Sequence, residues 1–365
     1  MRSAAAAVAV ACAALTAFAA RGVVAATTYP LLGDTFSGAG AQDSHWLTAA
    51  ASGQDNEVPA NGLPCLTAGR DGKAQPIAGC SGQSSPASSA DPSGTGALRL
   101  TDNRPYEAAM VVDSRAWRFD SALSVDFSFY MYANASAAKP AADGLSFFLA
   151  DGAANINAPG ANGGALGYAP IGTIPGLPGA YIGVGFDEFG NFTQPLTDGE
   201  GCTAPPAAQL PAPRVAIRGP GDGTSGYCLI ASSGVLPGLL DSPSANHRTD
   251  DGVARHAHID IDAPTAKHPR VRVFCDFGSG MVPVASAPLP PNPPASVTMG
   301  FAAGTGIFAA VHEVSNLHVT TIGAPPLVQL KQGSQLAFAV LPGAIALAVL
   351  AGAGLYGYRR SQRRR

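Results

Sequence analysis

Asp143 opens an Asp-Gly pair at the head of an apolar run, and Asp187 and Asn191 stand four residues apart around Phe189. That second group offers a carboxylate, a backbone carbonyl and an amide oxygen, hard ligands of the kind Ca2+ gathers about 6–8 at a time. Each also reads as a plain turn, because Asp-Gly pairs and Asp/Asn clusters are common where strands end. His256, His258, Asp260 and Asp262 alternate with Ala257, Ile259 and Ile261. Two histidines on one strand face suit zinc, but the alternation reads first as a solvated face. Asp187 and Glu188 are adjacent at a strand end and point to opposite faces, which is wrong for paired acid/base work. The sequence has no glycine-rich phosphate loop, Gly-x-Ser-x-Gly elbow or Cys-x-x-Cys pair. Asn134-Ala135-Ser136 and Asn191-Phe192-Thr193 spell N-glycosylation sequons. A glycan on Asn191 would remove a proposed ligand, so that match is read as accidental.

The elements that must carry these residues are strands. Apolar stretches between the two ends are short, rich in Val, Phe, Tyr and Ile, and separated by Gly/Pro clusters, without a long 3.6-residue stripe. Candidate strands are Ala97–Thr101, Leu123–Tyr132, Leu145–Leu149, Tyr181–Phe186, Val215–Ile217, His258–Asp262, Val271–Phe274, Val297–Phe301 and Val314–Val319. Val125, Phe127 and Phe129 alternate with polar Asp126 and Ser128, as a strand with one buried face should. Gly38–Gly94, Gly152–Pro178, Gln194–Pro213 and Leu236–Val253 read as long surface loops, and residues 279–295 as a Pro-rich connector. The fold class is therefore all-β, an antiparallel β-sandwich.

The two ends differ from the middle. Residues 1–26 read as a secretory signal: Met1-Arg2, an Ala/Val-rich run, then the small-residue pattern Val23-Val24-Ala25-Ala26. Leu336–Tyr358 is uncharged, and about 23 residues at ~1.5 Å each are long enough for a transmembrane helix through a ~30 Å bilayer core. The Arg-rich tail 359–365 would stay cytoplasmic, with the preceding chain outside. This Pro-started helix and terminal Arg cluster also fits a sorting signal that is cut after export. Residues 322–335 read as a linker. The formal net charge is −3, but seven of the 22 basic residues lie in the two ends, leaving 15 against 25 acidic ones. An acidic outer domain disfavours nucleic acid as a partner. Cysteines in an oxidising compartment usually pair. Proximity favours Cys65–Cys80 and Cys202–Cys228, leaving Cys275 as a buried thiol; other connectivities stay open.

Four segments in order resemble the legume-type (L-type) lectin family, particularly its bacterial members. They are Ala142-Asp143-Gly144-Leu145-Ser146-Phe147-Phe148-Leu149, Gly163-Gly164-Ala165-Leu166-Gly167-Tyr168, Val184–Asn191, and Ser296–Gly306 followed by His312-Glu313-Val314. With Asp34-Thr35-Phe36 and Cys65-Leu66-Thr67-Ala68, the likeness runs over residues 32–321. It implies a jelly-roll, concanavalin A-like sandwich with a cis Ala142–Asp143 bond. It also implies a sugar site of Asp143, the Gly164 backbone, Phe189 and Asn191: an ionised acceptor, backbone donors, an aromatic platform and an amide. Calcium would sit on Asp187, Phe189 and Asn191, with Asp198 the nearest candidate for a last carboxylate. Gly185 stands where many relatives have Glu, and Arg214 where they have His, so no second transition metal is expected. The resemblance implies a calcium-assisted, non-catalytic binder of glycans, and the two ends would display it at the cell surface, held to the membrane by the C-terminal helix. The alternatives are a structural surface protein that has lost sugar binding and, less favoured, a glycan-cleaving enzyme on the same sandwich.

Overall fold

The computed structural model describes residues 26–52, 64–70, 76–80, 90–133, 140–203, 212–250, 252–330 and 337–339. All but one residue of the expected signal, the tail 359–365 and most of the expected transmembrane segment lie outside these residues. Ala337–Ala339, at the start of that segment, is a strand paired with Val328–Leu330. Among the described residues no helix is long and apolar enough to cross a membrane.

The all-β expectation holds as two sheets. In the first, neighbours run Met281–Pro288, Arg270–Asp276, Arg255–Ile261, Ala122–Tyr132, Val311–Ile322 and Leu98–Thr101, and Thr28–Asp34 also pairs with Val311–Ile322. Cys65–Leu66 and Ala78–Gly79 extend it, the latter pair parallel. The second sheet is centred on Ala180–Asp187, Gly144–Asp151 and Ser296–Gly304; Arg214–Arg218 flanks one side and Glu107–Asp113 and Trp46–Ser52 the other. Two of the expected irregular stretches are thus corrected: Trp46–Ser52 lies inside Gly38–Gly94, and Met281–Pro288 inside the supposed connector.

The sheets pack through side chains on their inner faces. Phe127 of the first sheet meets Phe301 at 4.9 Å and Phe186 at 5.7 Å, and Phe129 meets Phe186 at 4.8 Å between ring centroids. Such edge-on and tilted contacts suit the aromatic quadrupole. The central strands of the second sheet are buried on both faces. Phe148, on the outer face, joins Leu166, Tyr168, Phe192 and Tyr227, contributed by the loops folded over that face. The long loops are thus a packed second layer, and they bring Gly164 and Asn191 to the rim. Cys65–Cys80 and Cys202–Cys228 are bonded, and Cys275 is free and buried, as expected.

Candidate functional site

Register sets the site. Gly144 is paired with Asp187 on one side and with Gly304 on the other, so three strands end at one rim. The Asp143 amide donates to Gly304 O at 3.1 Å, and Asp143 O accepts from the Glu188 amide at 3.0 Å. The Ala142–Asp143 bond is cis. Gly163 donates to Thr305 O at 3.0 Å, bringing the glycine-rich loop onto the same edge. A Cβ on Gly164 would fall 2.2 Å from the Asn191 Cβ, so only glycine lets these two loops touch.

Asp143, Gly164 and Asn191, three of the expected sugar contacts, therefore meet. Asn191 Nδ2 approaches Asp143 Oδ1 at 3.4 Å. Asp143 is 2% exposed, and its Oδ2 is buried without a hydrogen-bond partner. Burial, then the neighbouring Asp187 and Glu188 charges, push its carboxyl up to about 7. Phe189 is half-buried, with its ring 5.8 Å from that of Phe308, which sequence reasoning did not single out.

The calcium set is a different matter. Asp187 is fully buried: Oδ1 accepts from the Phe189 and Gly190 amides at 3.1 and 2.6 Å, and Oδ2 from the Phe192 amide at 2.8 Å. Burial outweighs these donors and holds the carboxyl up to about 6. Asn191 Oδ1 accepts from Gln194 Nε2. Asp198, the expected last carboxylate, instead accepts from Arg218 Nη1 at 2.6 Å. The expected side-chain oxygens are thus engaged by donors of the protein itself, an arrangement that does not fit a calcium site. Asp198, the candidate for the last carboxylate, is an ion-pair partner of Arg218 here. Among the described residues no group of three or more His, Cys, Asp or Glu side chains is arranged to hold a metal. A Cβ on Gly185 would meet the Phe192 ring at 2.3 Å, and Arg214 Nη1 donates to Ser233 O at 2.8 Å.

Sequence reasoning missed a second set of groups. Glu188 is buried, with Oε1 3.0 Å from His312 Nε2 and Oε2 unpartnered; His312 Nδ1 lies 2.6 Å from Thr101 Oγ1. Burial pulls His312 down to about 3, and burial followed by the Asp187 charge pushes Glu188 up to about 8. Burial thus favours the neutral form of both. Glu188 and Asp241 line a cavity of about 490 Å³ whose other walls include Pro140, Ala141, Phe189, Pro213 and Leu239. Burial, then Glu188, pushes Asp241 up to about 7. The adjacent Asp187-Glu188 pair signalled half of this arrangement, but Asp241 comes from a loop with no signature. His256 and His258 lie on the other sheet and bond to Ser128, Asp126 and Asp260.

No family model and no curated protein matches the chain. Among solved structures, it is similar to the winged bean acidic lectin complexed with methyl-α-D-galactose: 16% identity, 81% of this chain and 99% of that one, TM-score 0.47. It is also similar to the metal-free form of lectin I-B4 from Griffonia simplicifolia, with 14% identity, 80% and 99% coverage and TM-score 0.46. A third is the Ca2+/Man-bound exoplasmic/lumenal domain of VIP36, with 10% identity, 86% and 96% coverage and TM-score 0.46. The structures to which the chain is similar are L-type lectins.

Proposed function

We propose that the protein binds carbohydrate without chemistry, through Asp143, the Gly164 backbone, Phe189 and Asn191. One observation carries this reading: Asp143 Oδ2 is a buried acceptor without a hydrogen bond of full geometry, the Gly306 amide being the one backbone donor beside the carboxyl, at a rim where two glycine loops and three strand ends converge. An unsatisfied buried oxygen costs about 1–3 kcal/mol, which a ligand hydroxyl would offset. Gly163 and Gly306 leave room beside it, since a Cβ on Gly306 would stand 2.9 Å from Oδ2. Phe189 and Phe308 supply an apolar face for a sugar ring. Asp187 does no acid/base work in this scheme, because backbone amides engage both its oxygens. Two disulfides suit export to an oxidising compartment, in keeping with a protein displayed outside the cell and held by its C-terminal segment. A glycan-array screen with wild-type and Asp143→Ala protein tests the reading; equal binding by both, or by neither, would sink it.

Glycan cleavage is a second reading, favoured by the shared cavity of Glu188 and Asp241 and the raised pKa of both. Sugar release from polysaccharide by purified protein, abolished in Asp241→Asn, would support it over simple binding.

A further inference from the structure

We propose that the buried guanidinium of Arg218 is the internal cation that orders the binding loop 187–198, so that this loop holds its shape without calcium. This deepens the carbohydrate-binding reading, because the same loop presents Phe189 and Asn191.

Arg218 ends the strand Arg214–Arg218 and is paired in register with Gly183, so its side chain starts from a fixed point in the sheet. It is 0% exposed. Nε donates to Phe192 O at 2.8 Å, Nη1 to Asp198 Oδ1 and to Tyr227 O at 2.6 Å each, and Nη2 to Gln194 O at 3.1 Å and to Thr197 Oγ1. A guanidinium has five N–H donors in a rigid fork, and here there is an acceptor for each. The Phe192 ring lies beneath it, 5.1 Å from its centre.

Loop carbonyls turned inward onto a buried point need a positive partner, and a buried charge needs complete coordination; each condition meets the other here. Four of the five acceptors lie between Phe192 and Asp198, the segment from which a calcium ion was expected to draw its last ligand. Gly185 belongs to the same device. Any side chain there would displace the Phe192 ring on which the guanidinium rests.

The test uses the full-length protein and Ca2+ alone as probe. After stripping with chelator, calcorimetric titration of Ca2+ should give no binding heat, and the melting temperature should be the same in chelator and in calcium. Binding tighter than about 1 mM with a rise in melting temperature of several degrees would overturn the inference. Amide exchange supplies a local readout. Arg218→Lys keeps the charge but loses the fork, and should speed exchange of the Gly190–Thr197 amides about tenfold while Ala122–Tyr132 stays unchanged. If that variant does not fold, Thr197→Val and Asp198→Asn each remove or weaken one acceptor, and should speed the same amides about threefold. Unchanged loop exchange in the variants that fold would also overturn it. None of these readouts needs a sugar. A chain with a metal-independent loop and no glycan binding sinks only the proposed function, whereas glycan binding abolished by chelator and restored by Ca2+ sinks only this inference.

Discussion

Glu313 and Glu188 are both buried carboxyls, yet they sit in opposite kinds of surroundings. Glu313 accepts from Arg99 Nε at 2.9 Å and from Arg248 Nη1 at 3.1 Å, and Arg248 also bonds Asp91. Glu188 faces only a neutral imidazole, with Asp187, Asp143 and Asp241 nearby and one oxygen unpartnered. Their partners make the contrast sharper, since His312 and Glu313 are consecutive residues of one strand. The first cluster carries its own counter-charges and ties a long loop to the sheet. The second is left without them at the rim, and acids held in that state mark places where a ligand changes the balance.

The largest effect is expected at the paired cluster. Glu313→Gln leaves two buried guanidinium groups short of negative charge and should cost about 3–5 kcal/mol in denaturant unfolding. Loss of a comparable amount in Glu188→Gln would erase the distinction between the clusters. Next comes Asp143→Ala, which should weaken glycan binding about 100-fold while changing unfolding free energy by less than about 1 kcal/mol. A parallel loss of stability would make Asp143 a structural residue.

The pH dependence follows with opposite signs. Asp143, Glu188 and Asp241 have folded values above their ordinary ones, at about 7, 8 and 7, so the folded chain holds extra protons. Their contribution to stability is complete below about pH 4 and is lost as pH rises through 7 to 8. Asp91 behaves in reverse: burial pushes it up, but bonds from Thr67 and Arg248 outweigh burial and hold it low. Its contribution is present above about pH 4 and is lost as acid is added. Melting temperatures measured from pH 3 to 9 should therefore fall at both ends, and Asp241→Asn should flatten only the alkaline limb. The smallest effect is that of Glu188→Gln, under about 1 kcal/mol at pH 7, because the replaced carboxyl is already neutral.

Alternation and apolar runs revealed the strands that build the two-sheet core, because burial dictates residue type there. Two of the strands that escaped notice are edges, whereas a third, Glu107–Asp113, lies between two partners and is buried along its whole length, so it shows no alternation. Met281–Pro288 contains Pro283 and Pro288, which an outer strand tolerates and a central one does not. Trp46–Ser52 is largely small residues paired only with Glu107–Asp113. At the site, Asp143, Gly164 and Asn191 were named through the resemblance, which rests on short local motifs; taken alone, the Asp-Gly pair and the glycines read as turns. Arg218 was not: in sequence it closes an ordinary Arg-Val-Ala-Ile-Arg strand, and only the folding of a loop over that strand surrounds it with carbonyls. The pairing of Asp198 with Arg218 was hidden for the same reason, since spacing places a carboxylate near the loop without saying which cation it meets.

Cys275 gives the molecule a built-in gauge of its own opening. It lies at 0% exposure in the strand Arg270–Asp276, and burial pushes its thiol up to about 12. The other four cysteines of the described residues are locked in pairs. The sixth cysteine, Cys12, falls in the expected signal 1–26; with that segment removed or Cys12 replaced by serine, an alkylating reagent would find nothing to modify until the sheets separate. The rate at which label enters would then time the excursions of the intact sandwich, without any engineered probe.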